Sequence, residues 1–345
     1  RRSRALSVRY SRLSSMALET DDAALTLWRQ LSRPKAAVVA AAAVAAEDPE
    51  AATTGPQRAA TEDAEAVDPG PRPPWKGIFG RRGNVRPPYN PDLESFFYRR
   101  RELFSKFDRG VRMDAECWYS VTPERLAAHI AVRMCKARRG LLVVDPFCGC
   151  GGNVIQQALA DPTGAVLAID IDPTKIAMAR HNARLYGVEH RILFVLGDAL
   201  GLLPTLKADA VFLSPPWGGL HYDERAQGAF DLTADLQPCC GFDLFDAACA
   251  AAPAVAYYLP KNTDRAQIAQ LAQRHPSRAC ELQHVVRHSS AIAKRGARRK
   301  PKSKALIAFF DAPPSGLAPA PGVREVTVDD PDGSPSSIAK TAPST

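Results

Sequence analysis

The feature that most constrains the fold of this chain is a regular alternation of strands and helices from about residue 122. Short buried-type strands are separated by helical segments, and the last two strands follow each other as a hairpin. This order predicts an α/β fold, a doubly wound, seven-stranded sheet with an antiparallel edge hairpin. The predicted strands are Leu141–Val144, Ala165–Ile169, Ile192–Leu196, Ala210–Leu213, Ala254–Leu259, Glu281–Arg287 and Ala305–Phe310.

Polar residues follow four of the predicted parallel strands. Asp145, Asp170, Asp198 and Ser214 each stand where a strand ends. The carboxyl ends of parallel strands meet at one edge of a sheet, and ligands of doubly wound folds bind there. We therefore expect these four residues to lie on one rim.

A glycine-rich turn, PFCGCGGN, follows the first of these strands. Gly149 and Gly151 allow the backbone to pass close to a ligand. Asp170 comes about 20 residues later, where a carboxylate can accept the hydroxyls of a ribose. The third glycine typical of dinucleotide sites is missing, and the carboxylate of Asp145 would repel a pyrophosphate. The pattern favours S-adenosylmethionine over a nicotinamide dinucleotide, with a turn that binds no cofactor as the alternative.

The segment SPPW follows the fourth strand and points to methyl transfer onto an amino group. An exocyclic amine is a poor nucleophile because its lone pair is delocalised into the ring. The Ser214 hydroxyl and the Pro215 carbonyl can hold the amine hydrogens, since two prolines stiffen the turn. Trp217 offers a flat face for base stacking, worth about 1–3 kcal/mol. The alternative for Trp217 is a packed core aromatic.

Composition limits the other classes of function. The chain has 345 residues, a formal net charge of +8 and 29 prolines, of which many lie near its ends. No apolar run is long enough to span a membrane. The eight cysteines show no Cys-x-x-Cys spacing, so we expect reduced thiols and no metal site. Two basic blocks, 75–109 and 287–304, are candidates for contact with RNA phosphates.

The flanks are predicted to be disordered tails. Residues 1–90 are rich in proline and alanine, with one short helix near Leu25–Leu31, and residues 312–345 form a second tail. The arginine- and serine-rich residues 1–15 are typical either of an organellar targeting signal or of a non-native leader.

Seven sequence blocks in one order resemble the trimethylguanosine synthases, the cap hypermethylases of small nuclear and nucleolar RNAs. The resemblance runs from about Tyr98 to Phe310. The blocks are LFSKFDRGVRMD (103–114), WYSVTPERLAAHIA (118–131), VVDPFCGCGGNVIQQAL (143–159), AIDIDPTKIAMARHNARLYG (168–187), GDAL (197–200), ADAVFLSPPWGGLHY (208–222) and YYLPKNTD (257–264).

The resemblance implies a class I (Rossmann-like) methyltransferase core at 122–311 and an N-terminal helical extension at 91–121. It implies transfer of methyl groups from S-adenosylmethionine to N2 of 7-methylguanosine caps, giving 2,2,7-trimethylguanosine. Positions matching the family's cofactor site are Phe104, Thr122, Asp145, Asp170 and Asp198, and the glycine-rich turn adds Gly149 and Gly151 to the predicted cofactor site. Positions matching its guanine site are Asn182, Ser214, Pro215 and Trp217.

The chain departs from the family at the expected phosphate contact. Ser95 stands near the place of a family lysine, and Arg99 follows closely as the alternative contact. The resemblance further implies a monomer in the nucleus, in the nucleolus or nuclear bodies, which acts on capped small nuclear and nucleolar RNAs with RNA–protein particle adaptors as partners.

Two other functions stay open at this stage. The first is an amino methyltransferase for adenine N6 or cytosine N4, which shares the SPPW-type motif but lacks the upstream FSKFD and SVTPE blocks. The second is a binding protein that keeps the fold without catalysis. The intact polar positions at the rim favour an enzyme.

Overall fold

The structure is a computed structural model that describes residues 91–136, 138–219, 222, 228–236, 239–287, 302–311 and 322–329. The predicted N-terminal tail, its leader and its short helix lie outside these residues. So does most of the basic segment before the last predicted strand.

The strands form one mixed sheet in the order β3-β2-β1-β4-β5-β7-β6-β8. The first five strands are parallel to one another, β7 runs antiparallel to both β5 and β6, and β8 is parallel to β6. The α/β class and the antiparallel hairpin are confirmed. The strands are β1 Leu142–Asp145, β2 Ala165–Asp170, β3 Ile192–Leu196, β4 Ala210–Leu213, β5 Val255–Pro260, β6 Ala279–Arg287, β7 Lys302–Phe310 and β8 Gly322–Asp329.

The sheet has eight strands rather than the predicted seven. The eighth, β8, lies inside 312–345, which the sequence predicted as a disordered tail, and it pairs with β6 from Ala279 to Val286. Its sequence shows a weak strand signal because charged residues interrupt it and none of its side chains is fully buried. Without β8, β6 would present a row of unpaired backbone groups to solvent. The hairpin is therefore one strand away from the edge.

Helices cover both faces of the sheet. Two helices have an aspartate as the N-cap residue. Asp172 accepts the N–H of Thr174, and Asp264 accepts the N–H of Ala266. The helices are α1 Glu94–Tyr98, α2 Arg100–Leu103, α3 Cys117–Ser120, α4 Glu124–Cys135, α5 Gly152–Ala160, α6 Pro173–Tyr186, α7 Ala199–Leu202, α8 Gly241–Ala251 and α9 Arg265–Arg274. Across the described ranges, no helix is long and apolar enough to span a membrane.

The segment before α4 packs a group of buried aromatic side chains against one half of the sheet. The Phe97 and Phe107 rings lie 6.0 and 5.4 Å from the Trp118 ring, and all three side chains are buried. They share one hydrophobic cluster with α5 and α6, including Ile155 and Ala179. The helical segment 91–121 therefore buries its apolar side chains against the helices that flank the glycine-rich turn.

Candidate active site

The ends of β1, β2 and β4 lie side by side in the sheet. β1 is the central strand of the three, with Val144 in register with Leu167 on one side and Val211 on the other. Asp145 and Asp170 are the last residues of their strands, and Ser214 comes directly after β4. Residues from three chain segments are thus delivered to one rim.

Asp145 is a fully buried carboxyl group with an unused acceptor. Its Oδ1 accepts the N–H of Phe147 at 3.1 Å, but its Oδ2 has no hydrogen-bond partner among the described residues. Burial, with a smaller contribution from the negative charge of Asp170, raises the pKa of Asp145 to about 7. A buried acceptor without a donor suits a cationic amine, and the ammonium group of S-adenosylmethionine is one. The residues present therefore fit this cofactor.

Asp170 ties the glycine-rich turn to the end of β2. Its Oδ2 accepts the N–H of Gly149 at 2.9 Å and its Oδ1 accepts the N–H of Asp172 at 3.0 Å. Burial raises the pKa of Asp170 in spite of these bonds. Each carboxylate oxygen has two lone pairs, so the pair can also accept the hydroxyls of a ribose.

The turn itself needs its glycines. Gly149 and Gly151 have φ angles of +52° and +95°, which side chains rarely adopt. A Cβ at Gly151 would lie 3.1 Å from the Cα of Ala179 on α6, whereas a Cβ at Gly149 would meet nothing within 4 Å. Gly151 therefore allows close packing, and Gly149 leaves open space beside Asp170.

Residues ahead of α4 reach the first turn of α5. Phe104 is buried, and its Cζ lies 3.9 Å from the place of a Cβ at Gly152. Thr122 accepts a hydrogen bond from Asn153 Nδ2 at 3.1 Å. Helix α4 begins at Glu124 with Pro123 at its N-cap position, so the Thr122 hydroxyl does not cap it. The hydroxyl of Thr122 contacts α5 instead.

Asn153 is a residue that the sequence reasoning missed. Its Oδ1 is buried and has no hydrogen-bond partner in the part of the chain that the structure describes. The signal was present, since Asn153 is the polar residue that ends the glycine-rich turn PFCGCGGN. With Asp145, it gives the neighbourhood of the turn a second acceptor oxygen.

Asn182 has a different setting from the expected guanine contact. It is fully buried, its Oδ1 accepts the N–H of Arg112 at 2.8 Å, and its Nδ2 donates to the carbonyls of Arg112 and Cys150 at 2.8 Å. These bonds engage both amide hydrogens and the oxygen. The structure gives Asn182 the role of holding the extension against the glycine-rich turn, and its contact with guanine stays a prediction.

Trp217 lies in a group of aromatic rings above the end of β4. Its ring is half-buried, with the Tyr258 ring at 5.1 Å and 37° and the Tyr222 ring at 5.3 Å and 70°. Pro215 is buried and Ser214 is half-buried. The motif therefore presents a hydroxyl and an aromatic face beside the strand that carries Asp145.

Asp198 and Arg99 make local contacts within their own segments of the chain. Asp198 is exposed beyond β3 and caps α7 by accepting the N–H of Gly201 at 3.2 Å. Arg99 pairs with Glu102, with 2.6 Å between Nε and Oε2. The contact of Asp198 with the cofactor and that of Arg99 with the cap phosphates stay predictions.

The fold and the rim together define a class I methyltransferase that depends on S-adenosylmethionine. The family model of the RNA cap guanine-N2 methyltransferases matches residues 140–312. The chain therefore belongs to that family.

Two curated relatives of the chain are both trimethylguanosine synthases. The trimethylguanosine synthase of Schizosaccharomyces pombe is 40% identical over 195 residues, 55% of this chain and 79% of the relative. That of Saccharomyces cerevisiae is 35% identical over 212 residues, 58% of this chain and 65% of the relative. A solved S-adenosylmethionine-dependent O-methyltransferase from Thermotoga maritima, at 15% identity, covers 61% of this chain and 72% of its own with a TM-score of 0.40. The family assignment rests on the sequence matches.

Proposed function

We propose that this chain transfers methyl groups from S-adenosylmethionine to N2 of the 7-methylguanosine cap of small nuclear and nucleolar RNAs, giving 2,2,7-trimethylguanosine. The observation that carries the proposal is the placement of Ser214 and Trp217 directly beyond β4, next to the strand that ends in the buried Asp145. This juxtaposes an amine-binding turn and an acceptor for a cationic cofactor.

Residues on three strand ends would hold the cofactor. Asp145 Oδ2, which has no partner among the described residues, would accept the ammonium group, and Asp170 the ribose hydroxyls. Phe104 and Thr122 would close the site from the extension, and Asp198 would contact the part of the cofactor that reaches β3. When bound, S-adenosylmethionine supplies an electrophilic methyl group on a cationic sulfur.

The SPPW turn would hold and orient the guanine. The Ser214 hydroxyl and the Pro215 carbonyl would accept the two hydrogens of N2, which favours a tetrahedral nitrogen with its lone pair directed at the methyl group. Trp217 would stack on the purine. The positive charge of 7-methylguanine would add a cation–π attraction of about 1–2 kcal/mol.

The wider setting follows from the family. The substrate class is capped RNA, Arg99 is a candidate for contact with the cap phosphates, and RNA–protein particle adaptors would deliver the substrate. A nuclear location and a monomeric state are part of the same proposal. Among the described residues, no group of three or more His, Cys, Asp or Glu side chains could hold a metal ion.

Transfer of a labelled methyl group separates this function from its alternatives. The protein is incubated with labelled S-adenosylmethionine and 7-methyl-GTP, GTP or an adenine- and cytosine-containing oligonucleotide. Label in the 7-methylated guanosine alone is the expected result. Label in the oligonucleotide alone would refute the proposal in favour of an adenine or cytosine methyltransferase. Cofactor binding without any transfer would favour a non-catalytic relative.

A further inference from the structure

The two basic blocks of the sequence meet in space at one carboxylate. Glu102 Oε2 accepts from Arg99 Nε at 2.6 Å and from Arg287 NH2 at 2.9 Å. Arg99 belongs to the extension, whereas Arg287 is the last residue of β6. Burial alone would raise the pKa of Glu102, but the hydrogen bonds from Arg287 and Arg99 lower it. Glu102 is therefore a charged acceptor shared by two guanidinium groups.

The contact lies on the same rim as the SPPW turn. Strand β5 runs parallel to β4 and ends at Pro260, which is in register with Ala305 of β7. The β6–β7 hairpin continues past this point, where Arg287 pairs with Lys302. Its end therefore projects beyond the edge from which the site residues extend.

A β-bulge alters the direction of this projection. Val285 pairs with Ala305, but Val286 pairs with Ser303, so Lys304 is an extra residue on β7. Its side chain is exposed. Bulges bend a strand and re-aim its side chains, and they are frequent next to binding sites.

Glu102, the acid in this contact, is close in sequence to a residue that packs against the glycine-rich turn. Helix α2 ends at Leu103, and the next residue is the buried Phe104 that approaches Gly152. Glu102 is therefore two residues from a side chain of the candidate site. The extension spans the rim from the glycine-rich turn to the end of the β6–β7 hairpin.

The side chains grouped here carry more positive than negative charge. Two acids pair with four arginines, which leaves the set with a net charge of +2. Arg101, which pairs with Asp108 at 2.7 Å, is 68% exposed. Such a surface attracts a polyanion. The four arginines are Arg99, Arg100, Arg101 and Arg287, and the two acids are Glu102 and Asp108.

We propose that Arg287, which shares the carboxylate of Glu102 with Arg99, binds the phosphates of the nucleotides that follow the cap. The inference rests on the proposed function, because it takes the guanine to be bound at Trp217. It adds to the substrate a stretch of RNA that 7-methyl-GTP lacks. Such contacts would be sequence-independent, since every nucleotide carries the same phosphate group.

The test compares two substrates in the Arg287→Gln variant, 7-methyl-GTP and a 7-methylguanosine-capped RNA of about ten nucleotides. We expect the KM for the RNA to rise about fivefold, as for the loss of one partly exposed ion pair, with the KM for 7-methyl-GTP unchanged. The dependence of log KM on log salt for the RNA should weaken by about 0.7, the value for one single-strand phosphate.

Arg274→Gln is the matched control. Arg274 pairs with Asp246 at 2.6 Å and lies at the end of α9 that is distant from the rim. Its loss removes one cation and one ion pair, so it tests for a general effect of charge. We expect it to leave the KM for the RNA within about twofold of the wild type.

The Glu102→Gln variant distinguishes a role of this contact in RNA binding from a role in stabilising the fold alone. Removal of the acid leaves the arginines and makes the surface more positive, so the KM for the RNA should fall. An increase for both substrates in both variants would mean that the contact only supports the fold, and would overturn the proposal. So would an unchanged KM for the RNA in Arg287→Gln.

If the proposed methyltransferase function were wrong, the result would differ from those that overturn the role of Arg287. The wild-type protein would then methylate neither 7-methyl-GTP nor the capped RNA. Binding of the fluorescently labelled capped RNA, followed by anisotropy without turnover, would still compare the wild type with Arg287→Gln. An equal affinity in that assay would overturn the inference independently of catalysis.

Discussion

Replacement of Asp145 by asparagine should remove a pH dependence from the stability of the ligand-free protein while it abolishes cofactor binding. The carboxyl group is buried, and its pKa is raised from the ordinary 3.8 to about 7. Between these two values the folded protein keeps a proton that the unfolded chain has lost. The free energy of unfolding therefore falls as pH rises, by up to about 1.4 kcal/mol per pH unit, and is constant above about pH 7.

The size of the effect follows from that interval. Over the full range from 3.8 to about 7 the loss is roughly 4 kcal/mol, and between pH 5 and 7 it is roughly 3 kcal/mol. The amide that replaces the carboxyl group in Asp145→Asn cannot ionise, so the variant does not undergo this loss. We expect the variant to gain stability relative to the wild type from pH 5 to 7, and the difference to level off above pH 7.

Urea unfolding of both proteins at each pH measures the difference. Asp161→Asn is the matched control, because Asp161 is also buried but accepts from Leu141 N at 3.0 Å and Thr163 Oγ1 at 2.8 Å. Burial alone would raise the pKa of Asp161, but these bonds lower it. Its stabilising effect is present above pH 3.8 and is lost only in more acidic solution, so this control should be destabilised equally from pH 5 to 9.

The cofactor adds an independent readout. A cationic ammonium favours the ionised carboxylate, so affinity for S-adenosylmethionine should rise up to about tenfold per pH unit below pH 7 and level off above it. Titration calorimetry in buffers of different ionisation enthalpy should detect the released proton. A stability difference between wild type and Asp145→Asn that does not change from pH 5 to 9 would refute the reasoning.

Three further substitutions test the rest of the site. Trp217→Ala should lose most turnover on 7-methyl-GTP while calorimetry shows unchanged cofactor binding, and near-wild-type turnover would contradict the stacking role. Asp170→Ala should weaken cofactor binding by at least about tenfold in the same titration, and an unchanged affinity would count against the ribose contact. Gly151→Ala should lower the free energy of unfolding by about 1–3 kcal/mol, because the residue has a φ of +95° and its Cβ would lie against Ala179; an unchanged urea midpoint would argue against this close approach.

The central sheet was predictable because its strands are buried on both sides. The runs that became β1 to β5 are almost entirely apolar, and each is followed by a polar residue or a turn. The eighth strand was not predictable in the same way. Its residues pack at the edge of the sheet, where neighbours cover only part of each side chain, so Arg324 and Glu325 can interrupt its apolar pattern. Strand periodicity is weak where burial is weak.

In the candidate site, too, the residues set by local sequence were predictable and those set by tertiary contacts were not. Asp145, Asp170 and the two glycines could be predicted because strand ends and backbone turns depend on neighbouring residues. The contacts of Thr122 and Asn182 could not be predicted, because their partners are distant in sequence. Thr122 bonds Asn153, 31 residues away. Asn182 bonds Arg112 and Cys150, 70 and 32 residues away. A resemblance identifies such positions without stating what they contact.

The contacts of Asn182 suggest that the extension and the cofactor turn form as one unit. Asn182 bonds the backbone of Arg112 in the extension and the carbonyl of Cys150 in the turn, from a side chain that water does not reach. Loss of either partner would leave buried polar groups unpaired, at a cost of about 1–3 kcal/mol each. An extension that detached from α6 would therefore also loosen the turn next to Asp170. The segment that carries Phe104 to the cofactor site is held in place by the same residue that shapes the turn, which links closure of the site over the cofactor to the packing of the extension.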